Sequence, residues 1–287
     1  MNYLISCFLI FFSLAGCHKA KKPLFPFLFS PEAVAIQPGL IDEASGIIDS
    51  KINPGCLWVE QDSGNPPDLY LLQHNGNLLK HINIYGAQNR DWEDISMGPG
   101  PVPGLDYLYI ADIGDNLKQY TSYTIYRFPE PSSRLDTVTN YDKIIFQYPD
   151  NAHDAEALFI DQETKDIYII SKREDSSGIY KIAYPYSTTG INNAVFLTKL
   201  PFTGTVSAAI SINTKEIIIK TYVDLFYWKI KTGETIENTL KKAPLKWQSA
   251  FEPQGEAICF RNDNAGFFTL SERGNAASVS LNFYKRQ

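Results

Sequence analysis

Short runs of apolar and β-branched residues alternate with turn-forming residues along most of the chain. Leu57-Trp58-Val59-Glu60, Ile167-Tyr168-Ile169-Ile170-Ser171 and Ile217-Ile218-Ile219-Lys220 illustrate the pattern, which is typical of β-strands. No long stretch holds the 3.6-residue period of an amphipathic helix. We therefore predict an all-β fold.

A five-residue motif, acidic in most copies, recurs every 48 to 63 residues, and strand-like segments follow each copy. This spacing is typical of β-propeller blades. Fourth strands are expected at 78–84, 144–148 and 195–200, and the stretch 231–250 is the least defined. The five motifs are Glu43-Ala44-Ser45-Gly46-Ile47, Asp91-Trp92-Glu93-Asp94-Ile95, Asp154-Ala155-Glu156-Ala157-Leu158, Val206-Ser207-Ala208-Ala209-Ile210 and Gln254-Gly255-Glu256-Ala257-Ile258.

The motif count predicts a single propeller of five four-stranded blades over residues 31–287. The last unit runs out of chain after three strands, while a strand at 32–36 precedes the first unit without a partner. We expect this N-terminal strand to complete the fifth blade, because propellers avoid bare sheet edges. Six blades is the alternative if residues 183–205 or 231–250 contain a degenerate unit.

The N-terminus predicts export and a lipid anchor. Residues 3–16 carry no charge and end in Leu14-Ala15-Gly16-Cys17, which resembles the bacterial lipobox. The resemblance implies a signal peptide at 1–16, acylation of Cys17, and a tether at 17–30 that links the bilayer to the propeller. Because no Asp follows Cys17, sorting to the outer membrane is expected. A plain secretory signal and an uncleaved anchor are the alternatives.

The amino-acid composition limits the kinds of partner that the protein is expected to bind. A formal net charge of −6 and a pI near 5.3 offer no basic surface for a phosphate backbone, so nucleic acid is not an expected partner. Cys56 and Cys259 lack metal-site spacing and are expected to be buried apolar residues.

The repeats place most motif-borne charge at one mouth of the central channel. There the start of each first strand meets the loop that follows each second strand. Each of these polar residues also suits an ordinary turn, but together they predict a binding surface for a small molecule, a glycan or a protein. The expected ligand-binding residues are Glu43, Asp62, Asn65, Arg90, Asp91, Trp92, Glu93, Asp154, Lys172, Arg173, Tyr222, Glu256 and Arg273.

Carboxylates crowded around one channel need compensation by basic residues or by a divalent cation such as calcium. The candidate metal ligands are Asp112, Asp115, Glu93 and Glu156. If the mouth is catalytic, His153, Glu156 and Glu272 are the candidates for proton transfer. No nucleophile elbow, Walker loop or zinc-protease motif is present in the sequence.

The segments Asp62-Ser63-Gly64-Asn65, Asp112-Ile113-Gly114-Asp115-Asn116 and His153 to Leu158 resemble a family of exported bacterial β-propeller proteins of undefined activity. More distantly, the acidic first strands are similar to esterase-like phytases and gluconolactonase-type propellers. That likeness implies a central divalent cation and hydrolysis of phosphate esters or lactones. Two hypotheses follow, a binding lipoprotein and a metal-dependent hydrolase.

Overall fold

The computed structural model describes residues 25–287 and consists of five small sheets arranged as a five-bladed β-propeller. The prediction of five blades is confirmed, and the six-blade alternative is wrong. The first candidate for a sixth unit, residues 183–205, holds only an edge strand and the fourth strand of the third blade. Residues 231–250 hold a short helix and the fourth strand of the fourth blade.

The strands are numbered in chain order, and the blades are counted from the first complete one. The first strand of the chain is β1 (Glu32–Ile36). Blade 1 contains β2 (Ala44–Asp49), β3 (Cys56–Gln61), β4 (Asp68–Gln73) and β5 (Leu78–Ile84). Blade 2 contains β6 (Trp92–Pro99), β7 (Asp106–Asp112), β8 (Tyr123–Pro129) and β10 (Asp142–Gln147), and its loop lends β9 (Thr137–Val138) to the edge of blade 1.

The remaining blades follow the same meander. Blade 3 contains β11 (Ala155–Ile160), β12 (Ile167–Ser171), β13 (Gly178–Ile182) and β15 (Val195–Lys199), with β14 (Asn192–Asn193) paired to blade 2. Blade 4 contains β16 (Thr205–Ile210), β17 (Glu216–Thr221), β18 (Asp224–Lys229), helix α1 (Ile236–Leu240) and β19 (Leu245–Gln248). Blade 5 contains β20 (Gln254–Phe260), β21 (Gly266–Glu272) and β22 (Val279–Lys285).

Strand β1 closes the ring, as predicted. It pairs antiparallel with β22, with Glu32 opposite Phe283 and Ile36 opposite Val279. The two ends of the chain therefore share one blade, in which β1 is the outer strand and β22 is paired on both sides.

The boundary predicted between tether and propeller needs a correction. Residues 25–30 were assigned to the tether, but Phe25 and Phe27 are buried between blades 4 and 5. Two phenylalanines in a proline-spaced segment cover apolar surface that a solvated tether would leave exposed. The predicted signal peptide and Cys17 lie outside the described residues.

Each pair of neighbouring blades encloses its own hydrophobic cluster, which gives five clusters around the ring. The alternation of the strands explains this, since side chains on both faces of every sheet meet a neighbouring blade. Cys56 and Cys259 are buried free thiols within this packing, as predicted.

The propeller has two ends. The first strand of each blade starts at the end that we call the mouth, where the loops after the second strands also lie. We call the opposite end, with the loops between first and second strands, the far face. Within residues 25–287 the single helix, α1, falls well short of the length and apolarity of a membrane span.

Candidate functional site

The first strand of every blade carries a β-bulge near its start. In each sheet the pairing between first and second strand skips one residue at this point. A bulge turns the side chain of the extra residue away from the regular alternation. The five skipped residues are Ser45, Glu93, Glu156, Val206 and Glu256. The repeated motif therefore marks a backbone feature, and three blades use it to present a glutamate at the mouth.

The strand register also corrects the alignment of the fourth motif. The sequence comparison matched Val206 with Glu43, whereas the bulge of blade 4 matches Val206 with Ser45, two positions later in the motif. The error arose because Val206 to Ile210 contains no charged residue that could fix the alignment.

Two groups of three carboxylates form the centre of the mouth. One oxygen from each of Asp62, Asp91 and Glu93 lies within 4.8 Å of the others, and the same holds for Glu93, Asp154 and Glu156. Glu93 belongs to both groups. The five acids come from three blades, so only the closed ring brings them together.

The two groups differ in their counter-charges. Lys172 forms a salt bridge with Glu156, and the Arg173 guanidinium donates to Asp154 and to the Asn116 side chain. No described lysine, arginine or histidine forms a salt bridge with Asp62, Asp91 or Glu93. We call these three residues the uncompensated triad.

Glu93 is the most constrained member of the triad. It is 6% exposed, and no donor among residues 25–287 is hydrogen-bonded to its carboxylate. A Cβ atom at Gly114 would lie 2.1 Å from Glu93 Oε1, so only glycine leaves room for the carboxylate there. Burial, followed by the charges of Glu156, Asp62 and Asp91, raises the pKa of Glu93 well above its ordinary value.

A hydrogen-bonded chain runs from blade 3 to blade 5 across the mouth. Lys172 Nζ donates to the Tyr222 hydroxyl at 3.0 Å, and that hydroxyl donates to Glu256 Oε1 at 2.6 Å. Glu272 lies next to Glu256 at the end of this chain. Gln254 Nε2 donates to Glu272 Oε2 at 2.9 Å. Burial and the neighbouring Glu256 raise the pKa of Glu272 to about 9. This shift favours the protonated form of Glu272 at neutral pH.

Four of the predicted mouth residues lie at its rim in pairs or turns. Asn65 Nδ2 donates to Glu43 Oε2 at 2.6 Å, and Arg273 forms two hydrogen bonds of 2.8 Å with Asp42. Arg90 stacks 4.0 Å over the Tyr120 ring and donates to two backbone carbonyls rather than to a carboxylate. These residues shape the rim, and none of them forms a salt bridge with the uncompensated triad.

Three predicted roles are corrected by burial and hydrogen bonding. Trp92 has no exposed surface and packs between blades 1 and 2, so it does not face a ligand. Asp112 accepts the Asp91 backbone N–H at 2.9 Å, and Asp115 accepts from two backbone N–H groups and the Tyr123 hydroxyl. Both aspartates stabilise their loop, and neither belongs to a group of acids within residues 25–287 that is close enough to hold a metal.

His153 is a structural residue of the loop before β11. Its Nδ1 lies 2.8 Å from Glu174, and its Nε2 lies 2.9 Å from Asp150 and 2.8 Å from the Tyr180 hydroxyl. Burial lowers the pKa of His153, but the bonds to the two carboxylates outweigh burial and raise it overall. Both ring nitrogens of His153 are thus engaged in hydrogen bonds within the fold, and the residue is only 8% exposed.

Sequence analysis missed two acids that lie below the mouth. Asp94 accepts from the backbone N–H groups of Leu158 and Ala208 and from the Ser207 hydroxyl, and so ties blade 2 to blades 3 and 4. Glu60 is 0% exposed, and neither of its carboxylate oxygens has a hydrogen-bond partner. The signal for Glu60 is Gly46 opposite it, where a Cβ atom would lie 2.6 Å from Glu60 Oε1.

The buried acids predict an unusual dependence of stability on pH. Burial raises the pKa of Asp62 to about 6, and that of Glu272 is higher still. The folded state thus keeps protons that the unfolded chain releases near pH 4, and the free energy of unfolding falls as pH rises from about 5 to about 9.

We expect calorimetry in the presence of a chelator to show a Tm lower by about 5–10 °C at the alkaline end of this range. Glu272→Gln should make this fall of Tm with rising pH smaller. A Tm that rises with pH would contradict the assigned burial.

The chain is similar in fold to a solved structure with little sequence identity. An auxiliary nutrient-binding protein from Bacteroides thetaiotaomicron is 8% identical, with 91% of this chain and 73% of that chain covered and a TM-score of 0.51. A nidogen/laminin complex is 8% identical, with 83% and 74% covered and a TM-score of 0.46.

The hydrazine synthase of Kuenenia stuttgartiensis is 10% identical with a TM-score of 0.42. The match covers 80% of this chain but only 56% of that protein's length. No protein-family model and no curated protein matches the chain.

Proposed function

We propose that this chain is a ligand-binding propeller that holds one calcium ion at its channel mouth and is anchored to a bilayer through acylated Cys17. The uncompensated triad carries the proposal. Asp62, Asp91 and Glu93 converge without a salt-bridge partner among the described residues, although the neighbouring acids Asp154 and Glu156 each have one.

The chemistry of the triad favours a hard divalent cation. Three carboxylates in close contact repel one another unless they are protonated or bind a positive charge. The donor atoms are all oxygens, which suits Ca²⁺ better than zinc or other metals that prefer nitrogen and sulfur ligands. The buried Glu93 carboxylate would supply one of the ligands of such an ion.

The surroundings of the triad support binding of an oxygen-rich ligand. Calcium takes six to eight oxygen ligands, so three carboxylates leave positions open for ligand oxygens. The Arg173 side chain, 46% exposed, and the partly exposed Tyr222 ring border the same site. A glycan, or an acidic side chain of a peptide or partner protein, fits this arrangement.

A hydrolase is the second candidate, and Glu272 is the observation that favours it. Its raised pKa favours the protonated form, which is the form that donates a proton during ester or lactone hydrolysis. His153 was the expected partner of Glu272 in proton transfer, but both of its ring nitrogens are engaged in other hydrogen bonds. The geometry therefore supports binding better than turnover. If the protein hydrolyses a phosphate ester or lactone and a chelator stops the reaction, hydrolysis becomes the better supported function.

Thermal melting of residues 24–287 with added cations tests the calcium site. We expect Ca²⁺ to raise Tm by several degrees over a chelator, since a ligand at 100 times its Kd stabilises by about 2.7 kcal/mol. Glu93→Gln should abolish the rise, whereas Glu163→Gln, an exposed acid on the far face, should keep it. A rise that persists in Glu93→Gln, or no rise with calcium, magnesium or manganese, would refute the site.

A further inference from the structure

We propose that the bilayer lies against the far face and that the acidic mouth points away from it. The proposal rests on the anchoring part of the proposed function and adds an orientation to it. It is argued from the point at which the N-terminal chain joins the propeller.

The N-terminal chain joins the propeller at the far face. Phe27 forms a β-bridge with Arg286, and the Gln287 backbone N–H donates to the Pro26 carbonyl at 2.9 Å. Arg286 in turn donates its backbone N–H to the carbonyl of Ala265, which lies in the far-face turn between β20 and β21. The chain therefore enters opposite the mouth, and β1 then runs toward the mouth beside β22.

This entry point is fixed by packing. The Phe27 ring has no exposed surface, and it meets the Phe267 ring edge-to-face with centroids 4.9 Å apart. Gln287 Nε2 also donates to the Phe27 carbonyl at 2.9 Å. A segment held by a buried aromatic ring and by backbone hydrogen bonds cannot swing the entry point to the other end of the propeller.

The segment between Cys17 and Phe25 is short compared with the height of the propeller. Fully extended, these eight residues reach about 28 Å, and a flexible chain of that length spans on average only about 16 Å. A first strand of six to eight residues is about 20–25 Å long. A bilayer at the mouth would therefore need the segment stretched along the whole outside of a blade.

Charge favours the same orientation on an anionic bilayer. Lys19, Lys21 and Lys22 follow Cys17 in the sequence, and each basic residue near an anionic surface adds about 1 kcal/mol of attraction. The carboxylates of the mouth would be repelled by such a surface.

Energy transfer from the protein to labelled lipids tests the orientation. Ile52→Cys places a thiol on the far face and Leu117→Cys places one on the mouth side, at positions 51% and 77% exposed. Cys56 and Cys259 are buried, and processing to the acylated chain removes Cys7 with the signal peptide and blocks the Cys17 thiol, so a maleimide donor labels the introduced thiol selectively. The full acylated chain is reconstituted into phosphatidylcholine and phosphatidylglycerol vesicles that carry a headgroup acceptor, and unsubstituted protein gives the background.

We expect transfer from position 52 to exceed transfer from position 117 at least about twofold, given the separation of the two ends. Equal transfer, or stronger transfer from position 117, would overturn the orientation. Flotation of the protein with the vesicles measures anchoring separately. We expect Cys17→Ser to abolish this flotation. A chain that does not float would overturn the anchor and the orientation together, while the calcium-dependent melting would still report on the mouth.

Discussion

A chain that begins at residue 38 is expected to lose the cooperative unfolding transition of a chain that begins at residue 24. The truncation removes β1, the outer strand of blade 5, together with Phe25 and Phe27. Truncating one buried Phe to Ala costs about 3–5 kcal/mol, and a whole domain is stable by only about 5–15 kcal/mol. Calorimetry and near-ultraviolet circular dichroism would follow the loss.

A chain that begins at residue 31 is the matched control. It keeps β1 but lacks both phenylalanines, so it should retain a cooperative transition at a lower Tm. If the chain from residue 38 unfolds like the chain from residue 24, blade 5 does not depend on the N-terminal strand.

The second large effect is expected at a buried salt bridge between blades 4 and 5. Lys220 Nζ lies 2.8 Å from Glu252 Oε2, and the two side chains are 0% and 2% exposed. Asn282 Nδ2 also donates to Glu252 at 2.9 Å. Lys220→Met leaves a buried carboxylate without its counter-charge, which costs about 3–5 kcal/mol, and urea unfolding should show a lower midpoint.

The double variant Lys220→Met with Glu252→Gln separates charge from packing. The Gln side chain can still accept the Asn282 hydrogen bond but carries no charge, so most of the lost stability should return. If the double variant is no more stable than Lys220→Met alone, the loss comes from the shape of the Lys220 side chain and not from its charge.

The repeat made the architecture predictable. Strand β5 was expected at 78–84 and spans Leu78–Ile84, because turn residues bound that apolar stretch on both sides. The closing strand was predictable for a different reason, since an unpaired strand at one end of the chain matched a missing strand at the other. Residues 231–250 were ambiguous because α1 interrupts the meander before β19.

The site was predictable only in part. Glu93, Glu156 and Asp91 were placed at the mouth because they recur in the motif. Trp92, next to them in sequence, faces the core, because successive residues of a strand point to opposite sides. The extra residue in each bulge was not visible in the sequence, since no residue type is required there.

The salt bridge and Glu60 were missed for a shared reason. Lys220 and Glu60 end apolar second strands, where a charged residue is normally a solvated strand end. Each lies opposite a small residue of the first strand, Ser207 and Gly46 respectively. The small partner leaves space for the long side chain to turn inward, and this pairing appears only once the register is known.

The bulge has a consequence for how such a protein changes its specificity. The backbone deviation is present in all five blades, although the residues that occupy it range from serine and valine to glutamate. The scaffold therefore offers five equivalent side-chain slots around one axis, whose occupants can be exchanged while the sheets stay the same. Single substitutions at these bulge positions can therefore change the charge of the mouth stepwise, in evolution or in design.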